Sequence, residues 1–199
     1  MASQDDDLQA SKTEGYKISE KKTVAEYAKL DQNDESLNRW KASLGISDAK
    51  PIPVDPNDQR RCVIKSLALE VEGRHDITID LTAPGSLESL KGKPFSIREG
   101  AKFRMKANFV VQHDVLSGLK YVQVIKRKGI RMDKSEEMLG SYAPNTEDRQ
   151  IYEKKFAEDE APSGMLARGH YDAASRFVDD DNKEYLKFDW SFDISKDWK

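Results

Sequence analysis

The densest group of chemically capable side chains in this sequence is a run of polar residues near its end. The run contains Asp179, Asp180, Asp181, Asn182 and Glu184. Carboxylate and amide oxygens are ligands that Ca²⁺ prefers, but an EF-hand loop needs glycine at its sixth position, where Glu184 stands, and a helix on each side. The sequence therefore favours a solvated hairpin turn. The alternative is an acidic tip that binds an arginine or lysine of a protein partner through charge-assisted hydrogen bonds.

Other reactive residue types are few and scattered. The three histidines, His75, His113 and His170, lie in separate segments without the spacings typical of zinc ligands. The sequence has no nucleophile elbow, phosphate-binding glycine loop or dinucleotide-binding motif. Cys62 lies in an apolar run, where a buried and unreactive thiol is expected. We therefore expect a binding protein without catalytic residues, metal or cofactor, not an enzyme.

Charge and hydropathy narrow the possible partners and location. The chain has 33 basic and 36 acidic residues, a net charge of −3, so it lacks the positive field of a nucleic-acid-binding protein. A single cysteine fits a reducing compartment, and no apolar run is long enough to span a membrane, so we expect a cytoplasmic location. The short basic cluster Lys126-Arg127-Lys128 is interpreted as the solvated end of a strand. Contact with anionic lipid headgroups or an acidic partner is its alternative.

The last strand predicted from the sequence carries an aromatic face. Phe188, Trp190, Phe192 and Ile194 alternate with polar residues, the period of two expected when one side of a sheet is buried. An aromatic face of this kind either closes a dry core or lines an apolar cavity between two sheets. The pattern alone leaves both possibilities open.

Similar alternating runs occur throughout the chain after about residue 60. Strands are predicted at 62–71, 77–81, 94–97, 102–111, 119–126, 170–178 and 185–194. The sequence between these strands contains no convincing helix. Regularly spaced strands separated by turns predict an all-β fold, an antiparallel β-sandwich, with a closed eight-stranded barrel as the alternative.

The region before these strands is a polar arm that ends in three prolines, Pro51, Pro53 and Pro56. Proline cannot continue a helix and favours an extended linker. We therefore divide the chain into an arm at 1–58 and a sandwich at 59–199.

Two short amphipathic helices are predicted within the arm. Residues 23–26 have the spacing of a capping box. Further along, Leu37, Trp40 and Leu44 recur at helical spacing, with Asp34 and Ser36 as possible N-caps and Gly45 as a stop. Helices this short are marginal in water, which favours ordering on a partner. Docking on the chain's own second domain is the alternative.

Several ordered motifs in the chain resemble those of Rho GDP-dissociation inhibitors over nearly its whole length. They are Leu-Asp-Gln-Asn-Asp-Glu-Ser-Leu at 30–37, Leu-Lys-Tyr at 119–121, Arg-Lys-Gly at 127–129, Gly-Ser-Tyr-Ala-Pro at 140–144, Glu-Ala-Pro at 160–162 with Arg-Gly at 168–169, and the segments 175–181 and 196–199. Agreement at so many ordered positions is implausible by chance.

The resemblance implies an immunoglobulin-like sandwich with a flexible, partly helical N-terminal arm. Its inter-sheet cavity would hold the geranylgeranyl group of a Rho-family GTPase, and the arm would fold as a helical pair over the GTPase switch regions. Such a protein binds the GDP-bound, prenylated GTPase in a one-to-one complex, blocks GDP release and extracts the GTPase from membranes into the cytosol. It touches the membrane surface only transiently. A general carrier of prenylated or acylated proteins, without control of the switches, is the alternative.

The resemblance also implies which residues form the two binding sites. The prenyl-binding positions are Leu69, Phe95, Leu166, Ala173, Phe188 and Trp190. The GTPase-binding positions are Tyr16, Asp34, Ser36, Leu37, Trp40, Leu44 and Asp181. Among these, Asp34 and Ser36 would contact the first switch, and Asp181 would face a basic residue of the second switch.

This chain departs from animal members of the family at several positions. Ala173 replaces a bulkier aliphatic residue and Phe188 replaces tryptophan, which alters the expected shape of the prenyl pocket. Pro94 and His170 stand near or at positions of regulatory serines, so phosphorylation control of that kind cannot apply. The segment 145–158 is slightly longer than in animal members.

Overall fold

Two β-sheets packed against each other dominate the computed structural model of the chain, which describes residues 7–11, 24–30, 33–44, 46 and 50–198. The described residues form the strands β1 Cys62–Val71, β2 Ile77–Asp80, β3 Phe95–Arg98, β4 Lys102–Val111, β5 Leu116–Arg127, β6 Ile130–Tyr142, β7 Tyr152–Lys155, β8 Asp159–Glu160, β9 Gly169–Val178 and β10 Glu184–Ser195. They also form the helices α1 Val24–Lys29, α2 Glu35–Leu44 and α3 Ser86–Gly92. None of these helices is long and apolar enough to cross a membrane.

The strand order separates the two sheets clearly. The first sheet runs β2-β1-β4-β7, with β8 also paired to β4, and the second runs β3-β10-β9-β5-β6. Neighbouring strands are antiparallel except β3 and β10, which pair in parallel. The predicted all-β sandwich is therefore confirmed, with one parallel pair in an otherwise antiparallel arrangement.

The structure contains elements that the sequence patterns did not reveal. In β6 the first seven residues are all exposed, so apolar alternation is absent there. The strands β7 and β8 have four and two residues, too few to show a period. The prediction of no helix between strands was wrong, because α3 lies between β2 and β3. Its seven residues make fewer than two turns, so helical periodicity was difficult to detect.

The main core lies between the sheets and consists of the inward faces of the alternating strands. Phe109 of β4 and Phe177 of β9 are fully buried. The aromatic face of β10 is buried as predicted: Phe188, Trp190, Phe192 and Ile194 are each at most 7% exposed. Burying an aliphatic or phenylalanine side chain of this kind contributes about 1.5–3 kcal/mol. Hydrophobic burial between the sheets is therefore the main stabilising term of this fold.

A charged cluster on the outside of the first sheet joins three strands. The Glu70 carboxylate of β1 lies 2.6 Å from Arg104 Nε and 3.1 Å from Lys106 Nζ, both on β4, and 2.9 Å from Lys155 Nζ on β7. The hydrogen bond from Arg104, aided by the two lysines, lowers the pKa of Glu70 from its ordinary 4.5 to about 2. A depressed carboxylate pKa makes the folded state more stable when the group is ionised.

We expect the Glu70→Gln variant to be less stable than wild type above about pH 4.5 and to approach wild type as the pH falls toward 2. The stabilisation is complete above the unfolded-state pKa and is lost as the pH falls through the folded-state pKa. Urea unfolding at a series of pH values measures the difference. Glu72→Gln, at an exposed position two residues along, controls for loss of a surface charge. A Glu70→Gln deficit that stays constant down to pH 2 would contradict the assignment.

The two predicted arm helices are present, and the second packs on the chain's own sandwich. Leu44 and Ile46 are buried with Ala143, which lies just after β6, and the Ala143 amide donates a 3.0 Å hydrogen bond to the Leu44 carbonyl. The linker is attached beside this contact, since the Ile52 amide donates to the Asn145 carbonyl at 3.1 Å. Docking on the sandwich was the alternative to ordering on a partner. In the structure, the end of α2 is docked on the sandwich. The domain boundary near residue 58 stays a prediction.

Candidate functional site

An apolar cavity lies between the two sheets where β1, β2 and β4 face β3 and β10. It encloses about 270 Å³, including space open to solvent. Its lining residues are Leu67, Ala68, Leu69, Ile79, Phe95, Met105, Phe188 and Trp190. The lining side chains are all hydrocarbon, aromatic or thioether groups, so the cavity offers no charge or strong hydrogen-bonding group to a ligand in its interior.

The exposure of the lining residues shows where the cavity opens. Ile79, Phe95 and Met105 are half-buried, whereas Phe188 and Trp190 are 6% and 4% exposed. The half-buried residues therefore mark the mouth, and the aromatic face of β10 forms the deeper wall. Because Ile79 lies on the short edge strand β2, one side of the mouth can move without disturbing the centre of a sheet.

The deep wall is fixed by a buried hydrogen-bonded network. Trp190 Nε1 donates to Ser175 Oγ at 2.9 Å, and the Ser175 and Tyr121 hydroxyls lie 2.8 Å apart. Gln123 Nε2 donates to the Tyr121 hydroxyl at 3.1 Å. Burial of this hydroxyl raises the pKa of Tyr121, so it stays neutral across the physiological range. The network satisfies the indole nitrogen and holds the Trp190 ring in one orientation beside Phe95, 5.9 Å away between ring centroids.

The cavity is narrow in this structure. Its widest part has room for no more than about one water molecule. A hydrocarbon ligand can enter only if side chains at the mouth move apart. Met105 is suited to such movement because methionine has flexible torsions, and Phe95 lies on the short edge strand β3. The arrangement can thus take up an apolar chain by opening from the mouth inward.

The structure brings together four of the predicted prenyl-binding residues. Leu69, Phe95, Phe188 and Trp190 line the cavity. Ala173 is buried as the cross-strand partner of Trp190 and does not line the cavity itself.

Leu166 lies elsewhere: its side chain is 91% exposed. The backbone explains this position. The Ala167 amide donates to the Gly164 carbonyl in a turn, and the Arg127 guanidinium donates to the carbonyls of Leu166 and Arg168. These bonds hold the Leu166 backbone against Arg127 while the side chain faces solvent. The predicted contact of Leu166 with the cavity is therefore absent from this structure.

Four lining residues were not predicted: Leu67, Ala68, Ile79 and Met105. A signal for two of them existed, because Ile79 and Met105 belong to the apolar faces of clearly alternating strands. Alternation identifies a face that points inward, but it does not distinguish residues that touch the opposite sheet from those beside a gap.

The arm positions two of the predicted partner-binding residues on its surface. Asp34 Oδ1 accepts hydrogen bonds from the amides of Ser36 and Leu37 at 2.8 and 3.1 Å, so Asp34 is the N-cap of α2. The side chains of Asp34 and Ser36 are exposed, and Leu37 is half-buried. Leu44 is buried against the sandwich.

Two predicted partner-binding positions cannot be placed in the same way. Tyr16 lies outside the described residues. The side chain of Trp40 also lies outside them, although the backbone of α2 is described at that position.

The acidic run forms the turn between β9 and β10. Asp179 is 3% exposed and accepts hydrogen bonds from the Lys183 amide at 2.9 Å and the Tyr185 hydroxyl at 2.6 Å. The Asp180 carboxylate lies 3.3 Å from Lys120 Nζ, and Asp181 is exposed at the tip. The Asp179 carboxylate thus bonds within the hairpin and Asp180 joins the turn to β5, which agrees with the predicted turn. Within the described ranges, no group of three or more acidic, histidine or cysteine residues is arranged to hold a metal.

Comparison with known proteins assigns the chain to a family. The chain matches the family model "RHO protein GDP dissociation inhibitor" over residues 1–197. The chain belongs to the Rho GDP-dissociation inhibitor family. It is 46% identical over 182 residues to the Rho GDP-dissociation inhibitor of Schizosaccharomyces pombe, an alignment that covers 92% of this chain and 86% of that protein.

Other members of the family are similar over almost the same span. Identity is 46% over 183 residues to the Rho GDP-dissociation inhibitor of Saccharomyces cerevisiae, covering 91% of this chain and 90% of that protein. It is 40% over 184 residues to human Rho GDP-dissociation inhibitor 1, covering 92% and 87%. The family resemblance inferred from the sequence motifs is therefore confirmed for both the arm and the sandwich of this inhibitor.

Proposed function

We propose that this inhibitor binds a GDP-bound, geranylgeranylated Rho-family GTPase in a one-to-one complex, removes it from membranes and keeps it in the cytoplasm. The observation that carries the proposal is the apolar cavity between the sheets, in a chain that belongs to this family. Each CH₂ group moved from water into such a site contributes about 0.8 kcal/mol. A prenyl chain leaves a bilayer only if it gains comparable burial elsewhere, which the cavity beside Phe188 and Trp190 would supply once the side chains at its mouth move apart.

The arm supplies recognition of the GTPase itself. Asp34 and Ser36 are exposed at the start of α2, and we assign them to the first switch. Leu44 fixes the other end of α2 on the sandwich. The exposed end of the helix is therefore held close to the sandwich, where the GTPase would be bound through its prenyl group. A helix that contacts both the switch and the sandwich resists opening of the switch, which slows GDP release.

The acidic turn offers a second point of contact. Asp181 is exposed at its tip, while Asp179 and Asp180 hold the turn in shape through Tyr185 and Lys120. We assign Asp181 to a basic residue of the second switch, with which its exposed carboxylate would form a charge-assisted hydrogen bond.

The inhibitor acts by binding and not by catalysis. Its cysteine supports this proposal, because burial raises the pKa of the Cys62 thiol to about 12. A thiol with so high a pKa has almost no reactive thiolate at neutral pH.

Extraction from membranes tests the proposal directly. Vesicles carrying a GDP-loaded, geranylgeranylated Rho-family GTPase are incubated with the full-length inhibitor and sedimented. We expect most of the GTPase in the supernatant as a one-to-one complex. An unprenylated GTPase is the control and should bind about 100-fold or more weakly, because the buried hydrocarbon is missing.

Two results would contradict the proposal. If the GTPase stays with the vesicles although the inhibitor is folded, the cavity does not carry the prenyl group. If extraction is equally efficient for lipidated proteins unrelated to Rho GTPases, and GDP release is unchanged, the chain is a general lipid carrier. The second result would favour the cavity but reject the role of the arm.

A further inference from the structure

The outer face of the second sheet, on the side away from the cavity, is covered by residues 7–11 of the arm. Leu8 is 1% exposed and packs in an apolar cluster with Val122 and Val124 of β5 and Val178 of β9. These three valines are themselves at most 1% exposed. Such deep burial indicates a specific binding site for Leu8 on the sheet, which we call the valine seat: the surface formed by Val122, Val124 and Val178.

Charged side chains of β5 and β6 surround the seat of Leu8. The Asp7 carboxylate lies 3.1 Å from Lys126 Nζ and 3.2 Å from Arg131 Nη1. The acidic residue next to the leucine therefore faces two cations. Lys126, the first residue of the basic cluster, is thus paired with an acidic residue of the chain itself.

Backbone groups of the segment are bound as well. Lys134 Nζ donates to the Gln9 carbonyl at 2.9 Å, and Lys120 Nζ donates to the Ser11 carbonyl at 3.1 Å. The Ser11 amide and hydroxyl donate to the two oxygens of Glu136 at 2.8 and 2.7 Å. Apolar, ionic and backbone contacts thus fix the register of the segment on the sheet.

We propose that the outer face of β5, β6 and β9 is a docking surface for the chain's own N-terminal segment 7–11, so that the arm is held on the sandwich at two points. The second point is the end of α2 with the adjoining linker, which contact Ala143 and Asn145 as described above. Asp7 pairs with the two cations of β5 and β6. The adjacent Leu8 fits between the valines of β5 and β9. The proposal stands on these contacts and does not depend on the prenyl cargo.

Docking at two points changes the reach of the arm. The arm between Ser11 and Leu44 is then attached to the sandwich at both ends instead of at one, which keeps α1 and the start of α2 close to the sandwich. Release of residues 7–11 would leave only the attachment at the end of α2 and the adjoining linker, and would extend the space that the rest of the arm can sample. The outer face of the second sheet therefore sets how tightly the arm is confined.

Backbone ¹⁵N relaxation of the full-length protein tests the docking. We expect order parameters of about 0.8 for residues 7–11 in wild type, typical of a packed segment, and below about 0.6 in Leu8→Asp, typical of a mobile one. The amide signals of the valine seat should shift in the same variant. Lys126→Glu should lower the order parameters of residues 7–11, because it places a carboxylate against Asp7.

Lys128→Glu is the matched control, since it makes the same charge change at an exposed turn position two residues away. Equal effects of the two reversals would reject the specific pairing of Asp7 with Lys126. Order parameters below about 0.6 for residues 7–11 in the wild-type protein would overturn the proposal. So would a concentration-dependent dimer whose dissociation frees the segment, because the segment would then occupy the sheet of a second copy.

Discussion

Ile79→Asp is expected to weaken binding of a geranylgeranylated GTPase by about 100-fold or more, because a carboxylate at the cavity mouth must lose water when a hydrocarbon chain enters. Ile79 lies on the edge strand β2 and is half-buried, so the free protein can keep the new carboxylate hydrated and stay folded. Trp190→Asp would test the same cavity less cleanly. It would break the bond from Trp190 to Ser175 and place a charge in the core. Extraction from vesicles and binding of a fluorescent geranylgeranyl peptide measure the effect.

Thr78→Asp provides the matched control for this variant. Thr78 is exposed on the same strand, one residue away, and its side chain points to the opposite face of the sheet. The same negative charge there should leave lipid binding within about twofold of wild type. Circular dichroism and thermal unfolding verify that both variants are folded. If Ile79→Asp is folded and still binds the prenyl group as well as Thr78→Asp does, the cavity described above is not the prenyl site.

The inner face of the sandwich was predictable because every second side chain of a strand points to the same face, and burial of that face makes every second residue apolar. The aromatic residues of β10 alternate without interruption, and β1 and β4 were predicted with the bounds that the structure shows. β6 was missed for the opposite reason. Its exposed Ile130 and Met138 pair with β5 through the backbone without facing a core, so the sequence of this strand shows no apolar alternation.

The cavity itself was only partly predictable. Local sequence shows which way a side chain points, but a gap depends on how two distant strands approach each other. Phe95 and Ile79 come from different sheets and meet across the mouth only in three dimensions. Leu166 was predicted to line the cavity but does not. Hydrogen bonds from Arg127 to the carbonyls of Leu166 and Arg168 hold its backbone so that the side chain faces solvent, and no sequence pattern indicates these bonds. The docking of Leu8 was also missed, because one leucine in a polar segment has no period.

A single residue of the arm, Asp34, links the local structure of α2 to the proposed control of GDP release. Asp34→Ala is expected to raise the rate of GDP release from the complex about tenfold. Loss of the N-cap costs about 1 kcal/mol of helix stability, and loss of the contact with the first switch adds to it. Release of a fluorescent GDP analogue from the prenylated GTPase measures this rate. Binding of the geranylgeranyl peptide should stay at the wild-type level, because Asp34 is not a lining residue of the cavity.

Asp34→Asn separates the two contributions. Asparagine keeps an oxygen that can accept from the amides of Ser36 and Leu37, but it removes the charge that a basic or amide donor of the switch would recognise. We expect this variant to raise GDP release about threefold to fivefold, between wild type and Asp34→Ala. Wild-type behaviour of Asp34→Asn would assign the whole effect to capping and reject direct contact with the switch. An equal loss of lipid binding in both variants would instead reject the separation of arm and cavity, because the charge on the arm would then be needed to hold the cargo.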